Sequence, residues 1–310
     1  MSSSSTTVPD GAATGFVPFT LCEPNFGAGV AGLFNSLVAA GYDGVLLVGL
    51  KGSPQGWMRH PPRPQPNGAR IRIVEFSTDR HLTHAKAMFA GRVLDELEPN
   101  CAGVVYFDPD IVLKASWSEL VARVSGAVSV CADENAPPWE KDPQPWITFA
   151  RESTGKTPDL SDRCCNAGFV GVARAHREVF AIWETLLRAT IARGFDARAF
   201  TWNGERPLPF FFVDQDMLNL AIRLAGVPVW IGGPETMDFA PGGNWVSHAI
   251  SSPKPWGRWY LPRALTGRTI RRCDVAFWKN AAAPLPAVPA PARWLHQIDL
   301  ALAKLISRKS

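Results

Sequence analysis

The sequence predicts an α/β fold with a single open, mostly parallel sheet flanked by helices, and three observations predict it. Short, wholly apolar segments such as Val45–Leu50 and Gly103–Phe107 recur in the first third of the chain, as strands covered on both faces require. Between them lie stretches whose apolar residues recur at helical spacing. The resulting order, β-α-β-β-α-β, suits a sheet whose parallel neighbours are joined by crossover helices.

Taken in order, Phe16–Cys22 is a first apolar strand. Residues 29–40 form a helix with Val30, Leu33, Phe34 and Leu37 on one face, and Gly41 stops it. Val45–Leu50 is the second strand, residues 52–67 are a Pro/Gly-rich loop, and residues 71–76 are the third strand. A helix over 83–97 leads into the buried strand Gly103–Phe107. Further strands are expected over 124–132, 165–172 and 227–231, with helices over 177–193 and 214–225. Residues 281–292 read as a Pro/Ala linker and 294–306 as a last amphipathic helix. The expected organisation is a tail over 1–14, one catalytic domain over 15–280, and the linker and helix over 281–310.

Composition sets the bounds. The chain has 310 residues, 46% hydrophobic and 19% charged, which fits a soluble α/β domain. No run of about 18 apolar residues is free of charge or proline, so no membrane-spanning helix is expected. Residues 1–14 are rich in Ser, Thr and Ala and read as a disordered tail without the charged and apolar regions of a secretory signal. A cytoplasmic location is the resulting expectation. The six cysteines form no C-x-x-C pair, so neither a disulfide framework nor a zinc site is expected. The formal charge is +4, with a local surplus where Lys254, Arg258, Arg263, Arg268, Arg271, Arg272 and Lys279 face a single acid, Asp274.

Ligands of open parallel sheets bind beyond the carboxyl ends of the strands. Asp108-Pro109-Asp110 lies there, directly after Phe107. Two carboxylates at that spacing can reach one hard divalent cation, although a solvated acidic turn has the same sequence. His248 precedes Lys254-Pro255-Trp256 by six residues. Its imidazole can be a third metal ligand, and the lysine can neutralise a phosphate. Asn166-Ala167-Gly168 opens a strand and offers an amide for sugar hydroxyls beside a glycine that permits close approach. Asp214-Gln215-Asp216, with Asn219, starts a helix; one acid there suits a cap, and the other can face a site.

In their order these four segments resemble the retaining glycosyltransferases of family eight, which include glycogenin and bacterial lipooligosaccharide galactosyltransferases. That family carries D-x-D after a strand, then N-[AS]-G, D-Q-[DG]-x-x-N and H-x-x-G-x-x-K-P-W. Upstream, Cys22-Glu23-Pro24-Asn25-Phe26 is similar to the family's nucleotide-holding A-D-x-N-Y, and Lys86 stands where it has a basic residue on a helix. Ser251 replaces the family's glycine, and Glu23 its aspartate. The resemblance implies a GT-A fold and Mn2+ (or Mg2+) held by Asp108, Asp110 and His248. It implies a UDP-sugar bound with help from Glu23, Asn25, Lys86, Asp108, Lys254 and Trp256. Asn166, Asp214 and Gln215 would contact the donor sugar or the acceptor, a glycan, lipid or protein, and the transfer would retain configuration.

The last third of the chain interleaves basic residues with Trp259, Tyr260, Phe277, Trp278 and Trp294, which suits peripheral contact with an anionic inner-membrane face or, more plainly, a basic surface packed on the domain. No nucleic-acid motif is present. Two rival readings stay open on sequence alone. Asp108-Pro109-Asp110-Ile111-Val112 also fits the nucleophile motif of haloacid-dehalogenase phosphatases, and a non-catalytic nucleotide-sugar-binding protein would carry the same residues.

Overall fold

The structure, a computed structural model, describes residues 15–160, 163–202 and 207–307. The expected tail over 1–14 lies outside them. Strands β1 (Phe16–Cys22), β2 (Val45–Leu50), β3 (Arg70–Glu75) and β4 (Gly103–Phe107) are joined through helices α1 (Gly27–Ala39) and α2 (Lys86–Arg92). A short strand β5 (Ile111–Leu113) and helix α3 (Trp117–Gly126) lead to β6 (Val128–Ala132) and α4 (Gln144–Thr154). Then come β7 (Cys165–Ala173), α5 (Glu178–Ala192), α6 (Val213–Leu224), β8 (Val229–Gly232) and β9 (Val246–His248). Helices α7 (Leu261–Leu265), α8 (Arg272–Lys279) and α9 (Ala290–Ser307) complete the chain.

The central sheet has seven strands in the order β3-β2-β1-β4-β7-β6-β8. Only β7 runs antiparallel to its neighbours, β4 and β6. The chain moves outward from β1 to β3 and then returns to the other side of β1 with β4. This reversal opens a crevice between the carboxyl ends of β1 and β4, the place where such sheets bind ligands. The amino end of antiparallel β7 lies at the same edge, with Phe169 paired to Phe107.

Alternate residues of each central strand enter different cores, which is why the strands read as continuous apolar runs. Phe19, Leu47, Val104 and Tyr106 face helices α2, α5 and α6, while Leu46, Val48, Val105 and Phe107 face α1, α3 and α8. All six cysteines are buried. Among the described residues no helix is long and apolar enough to cross a membrane.

The structure corrects one strand. Residues 124–132 are not one extended segment: helix α3 occupies 117–126, and the strand begins at Val128. The reason is a capping box. Ser116 Oγ accepts from the Glu119 N–H at 3.2 Å, and Glu119 returns a carboxylate to the Ser116 N–H at 3.0 Å. Leu120 and Val124, four apart, then form the buried stripe of a helix. The expected helix over 83–97 is a 3-10 turn, α2 and a π turn in succession. Beyond Asn280 the chain stays close to the domain: the Asn35 amide donates to the carbonyls of Asn280 and Leu285, each at 2.7 Å.

Helix α1 passes close under the Asp108–Asp110 turn because Gly29 has no side chain. A Cβ there would lie 2.2 Å from the Pro109 carbonyl and 2.7 Å from the Trp256 ring. Gly29→Ala is therefore expected to lower stability by about 1–3 kcal/mol despite its better helix propensity. Gly91→Ala, on α2 with nothing within 4 Å of its Cβ, is expected to raise it by about 0.5–1 kcal/mol. Thermal melts of the two single variants should move in opposite directions.

Candidate metal and nucleotide-sugar site

The Asp108–Asp110 turn is fixed at both ends. The Asp108 N–H donates to the Gly168 carbonyl at 2.7 Å, and the Ile111 N–H to the Asp108 carbonyl at 3.0 Å. Strand β5 then pairs antiparallel with β9, Ile111 opposite His248. That three-residue ladder brings the imidazole to the two carboxylates from far along the chain. His248 Nε2 lies 3.4 Å from Asp108 Oδ2 and 3.3 Å from Asp110 Oδ1. One ligand atom from each of the three residues can be chosen so that all lie within 4.8 Å of one another.

Each carboxylate has further partners. Asp108 Oδ1 accepts from the Tyr106 hydroxyl at 2.5 Å and faces Lys86 Nζ at 3.3 Å. Asp110 Oδ2 accepts from Lys254 Nζ at 2.5 Å, and the same ammonium donates to the Ala249 carbonyl at 2.8 Å. Burial alone would raise both carboxylate pKa values, but the surrounding cations overrule it. Lys86 and His248 hold Asp108 well below the usual range, and His248 and Lys254 do the same for Asp110. Burial pulls the His248 imidazole down, yet Asp110 and Asp108 raise it to about 9.

The donor set fits a divalent metal: two hard carboxylates and one imidazole nitrogen suit manganese or a similar borderline ion. Among the described residues the buried Nδ1 of His248 has no hydrogen-bond partner. Space for the imidazole exists because residue 168 is glycine; a Cβ there would sit 2.4 Å from His248 Cε1.

Lys86 connects this centre to the other motifs. Its ammonium, 3% exposed, donates to the Ala167 carbonyl at 2.9 Å and to Asp214 Oδ2 at 3.1 Å. Burial opposes its charge, but Asp108 and Asp214 outweigh that and keep it an ammonium. Of the two acids opening α6, Asp214 faces the cavity, whereas Asp216 turns back to accept from the Phe211 N–H at 2.8 Å, ahead of the helix. Asn219 pairs with both backbone groups of Cys165, each at 2.8 Å, which locks α6 to the start of β7.

A cavity of about 670 Å³ joins these groups and is lined by Glu23, Lys86, Asp108, Asp110, Asn166, Asp214, Gln215, His248 and Lys254. Its size suits a ligand of nucleotide-sugar dimensions. Two expected binding residues do not line it. Asn25 sits in an exposed 3-10 turn after β1. Trp256 packs between Phe26 and Phe277, with ring centroids at 5.9 and 5.3 Å, and anchors the loop that carries Lys254.

Sequence reasoning missed Asp133. This carboxylate accepts from the amides of Asn166 at 3.1 Å and Gln215 at 3.3 Å, on the cavity wall. It directly follows β6, whose carboxyl end at Ala132 was placed correctly from sequence, so the rule that singled out Asp108 applied to it as well. Tyr106, His81, Phe200 and Phe212 also line the cavity without any local sequence signal. Arg258, counted as surface charge from sequence, is buried against Asp274 at 2.5 Å and donates to the Pro253 carbonyl. It fixes the 251–258 loop from behind.

No known family profile matches the sequence, and no curated protein matches it. Among solved structures, an active-site mutant of LgtC is similar at 17% identity, with TM-score 0.53 over 90% of this chain and 99% of the other. The galactosyltransferase LgtC in complex with donor and acceptor sugar analogs matches at 16% identity and TM-score 0.51, over the same shares of both chains. The bifunctional glycosyltransferase WbbM, in its apo form, matches at 16% identity and TM-score 0.53, over 94% of this chain and 53% of WbbM. The fold is thus the GT-A glycosyltransferase fold that the sequence predicts.

Two substitutions probe the assembly. Gly168→Ala should displace the imidazole and weaken Mn2+ binding at least tenfold, read by electron paramagnetic resonance of free Mn2+, while the far-ultraviolet circular dichroism stays unchanged. Lys86→Met leaves Asp108 and Asp214 buried without their cation and should cost about 3–5 kcal/mol, read by denaturant unfolding.

Proposed function

We propose that this chain is a metal-dependent glycosyltransferase that moves a hexose from a UDP-sugar to an acceptor, with retention of configuration. The observation that carries the reading is the convergence of Asp108, Asp110 and His248 in one cavity wall. A Mn2+ bound there would offset the charge that develops on a departing diphosphate.

The remaining roles belong to side chains in place around the cavity. Lys254 is a second positive charge beside Asp110, on a loop stiffened by Pro253 and Pro255 and anchored through Arg258. It supplies fixed charge toward the same oxygens. Glu23, at the end of β1, is positioned for the nucleoside. Asn166, Gln215 and Asp133 form one hydrogen-bonded group that offers amide and carboxylate contacts for sugar hydroxyls. Asp214, paired with Lys86 beside that group, offers a carboxylate that can stabilise positive charge on the sugar ring as the donor bond breaks. Phe200 lines the cavity, and the acceptor would enter beside it.

A phosphatase that uses Asp108 as nucleophile is the less favoured reading. Both oxygens of that carboxylate are engaged, one by Tyr106 and Lys86 and the other by His248. A carboxylate held this way is a poor nucleophile.

The test is a thermal-shift titration of UDP and UDP-sugars with and without Mn2+, paired with an assay of UDP release. Ligand at about 100 times its Kd should stabilise the fold by about 2.7 kcal/mol. That stabilisation and the UDP release should require Mn2+ and vanish in Asp110→Asn and His248→Ala. Phosphate release from a simple aryl phosphate, unaffected by loss of His248, would overturn the assignment in favour of the phosphatase. Tight Mn2+-dependent UDP-sugar binding with no UDP release, alone or with offered glycans, would make the protein a nucleotide-sugar binder.

A further inference from the structure

Helix α9 supplies none of the residues that line the cavity, yet the turn that carries Lys254 is bonded to it. The three residues that follow this turn are each tied down. Arg258 pairs with Asp274 of α8. The Trp259 ring stacks on the His296 imidazole of α9, which stacks in turn on Trp278 of α8, with ring centroids at 4.4 and 4.9 Å.

Tyr260 has the most partners. Its N–H and that of Leu261 donate to the two oxygens of Asp299 at 2.5 and 3.0 Å, from the middle of α9. Its hydroxyl accepts from Trp278 Nε1 at 2.9 Å and donates to the Pro255 carbonyl at 3.1 Å. Pro255 directly follows Lys254, and the Gly257 N–H donates to the Lys254 carbonyl at 2.9 Å. A continuous path of hydrogen bonds therefore runs from Asp299 through Tyr260 to the peptide beside Lys254.

Two properties make this path firm. Its first bonds pair a carboxylate with backbone N–H groups, which is a stronger pairing than one between neutral groups. Asp299 and Tyr260 are also buried, at 8% and 1% exposure, so solvent is a poor substitute for either partner. The use of acids is telling as well. From position 256 onward the sequence contains two, Asp274 and Asp299. Both are spent on residues 258–261, one on a side chain and the other on the backbone.

We infer that Asp299 is a positioning residue for Lys254: by holding Tyr260 it sets where the Lys254 backbone sits, and α9 thereby helps to aim this ammonium at the donor's phosphates. The target of the ammonium rests on the sugar-transfer reading; the bracing of the turn does not. A helix docked only to cover apolar surface needs residues such as Leu300 and Ala303, which α9 also buries. It does not need a carboxylate directed at two N–H groups behind the site. Such bracing matters because misplacing a reacting group by about 1 Å can cost about 100-fold in rate.

The test takes two measurements on the full chain. One is hydrogen exchange at the Gly257 and Arg258 amides, which donate to the Lys254 and Pro255 carbonyls; the other is Mn2+-dependent UDP release. Asp299→Asn should speed exchange at both amides at least tenfold and leave β4 unchanged. It should lower kcat about tenfold, with Mn2+ affinity within twofold of the wild type. Tyr260→Phe removes only the hydroxyl link and should produce the same pattern at about threefold; it serves if Asp299→Asn does not fold. Lys254→Met should lower kcat further, and adding Asp299→Asn to it should change the rate less than twofold, because the brace acts through the lysine it positions. Losses that multiply in the double variant would make Asp299 a stability residue alone and overturn the inference. So would unchanged exchange at the two amides. So would Leu300→Ala, which strips packing from α9 but keeps the carboxylate, if it lost as much rate as Asp299→Asn. A wild type that releases no UDP from any donor defeats the sugar-transfer reading instead, and exchange alone then decides whether Asp299 holds the turn.

Discussion

The site depends on one buried ammonium. Lys86 reaches Asp108 at the end of β4, Asp214 at the start of α6 and the Ala167 carbonyl at the start of β7. Removing such a charge from water is costly, and only close, well-directed partners offset that cost. Two carboxylates and a carbonyl provide them here, so the ammonium is stable only if three distant segments arrive together. Conversely, the two acids are stable in that burial only because the ammonium sits between them. The cation, the carboxylates and the meeting of β4, β7 and α6 are therefore one constraint.

Counting charge across the innermost groups shows why a further cation is accommodated. Asp108, Asp110 and Asp214 face Lys86 and Lys254, which leaves a single negative charge when His248 is neutral. The protonated imidazole cancels it, which is the state in which Asp110 and Asp108 raise its pKa to about 9. A divalent ion in the proton's place would leave the cluster positive by one, matched to a ligand that brings negative charge of its own. A diphosphate is such a ligand, and an electrically neutral sugar is not.

Much of this was legible in the sequence, and the failures are instructive. The apolar strand followed by Asp108-Pro109-Asp110 located the candidate metal turn without any structure, because the rule connecting strand ends to ligands is geometric. What placed His248 beside it was a resemblance to a family; the three-residue β5–β9 ladder that does so physically is too short to leave a periodic signal. Asp133 was passed over although it directly follows a strand end placed correctly at Ala132, because it belongs to none of the four motif segments. Arg258 and Trp256 were misjudged for a shared reason. Local composition counted Arg258 as surface charge and the resemblance made Trp256 a ligand contact, but the first is neutralised by Asp274 of α8 and the second wedges between Phe26 and Phe277. Neither partner can be assigned from spacing.

Those two residues also explain how the loop carrying Lys254 is held. Arg258 binds it from behind through Asp274 of α8 and the Pro253 carbonyl, and Trp256 closes it over Gly29 of α1. The backbone on either side of Lys254 is thereby fixed to the core beneath the sheet. What stays adjustable is the lysine's own four-carbon stem. Its ammonium and His248 now occupy the two oxygens of Asp110. A metal held by His248 Nε2 and Asp110 Oδ1 would leave the ammonium on Oδ2, and with its backbone fixed that ammonium could swing only by its side-chain torsions. The cavity it already lines is the space open to it. The rigid anchor therefore leaves a mobile charge: Lys254 neutralises Asp110 here and, on the proposed reading, could turn toward a diphosphate without the loop itself having to move.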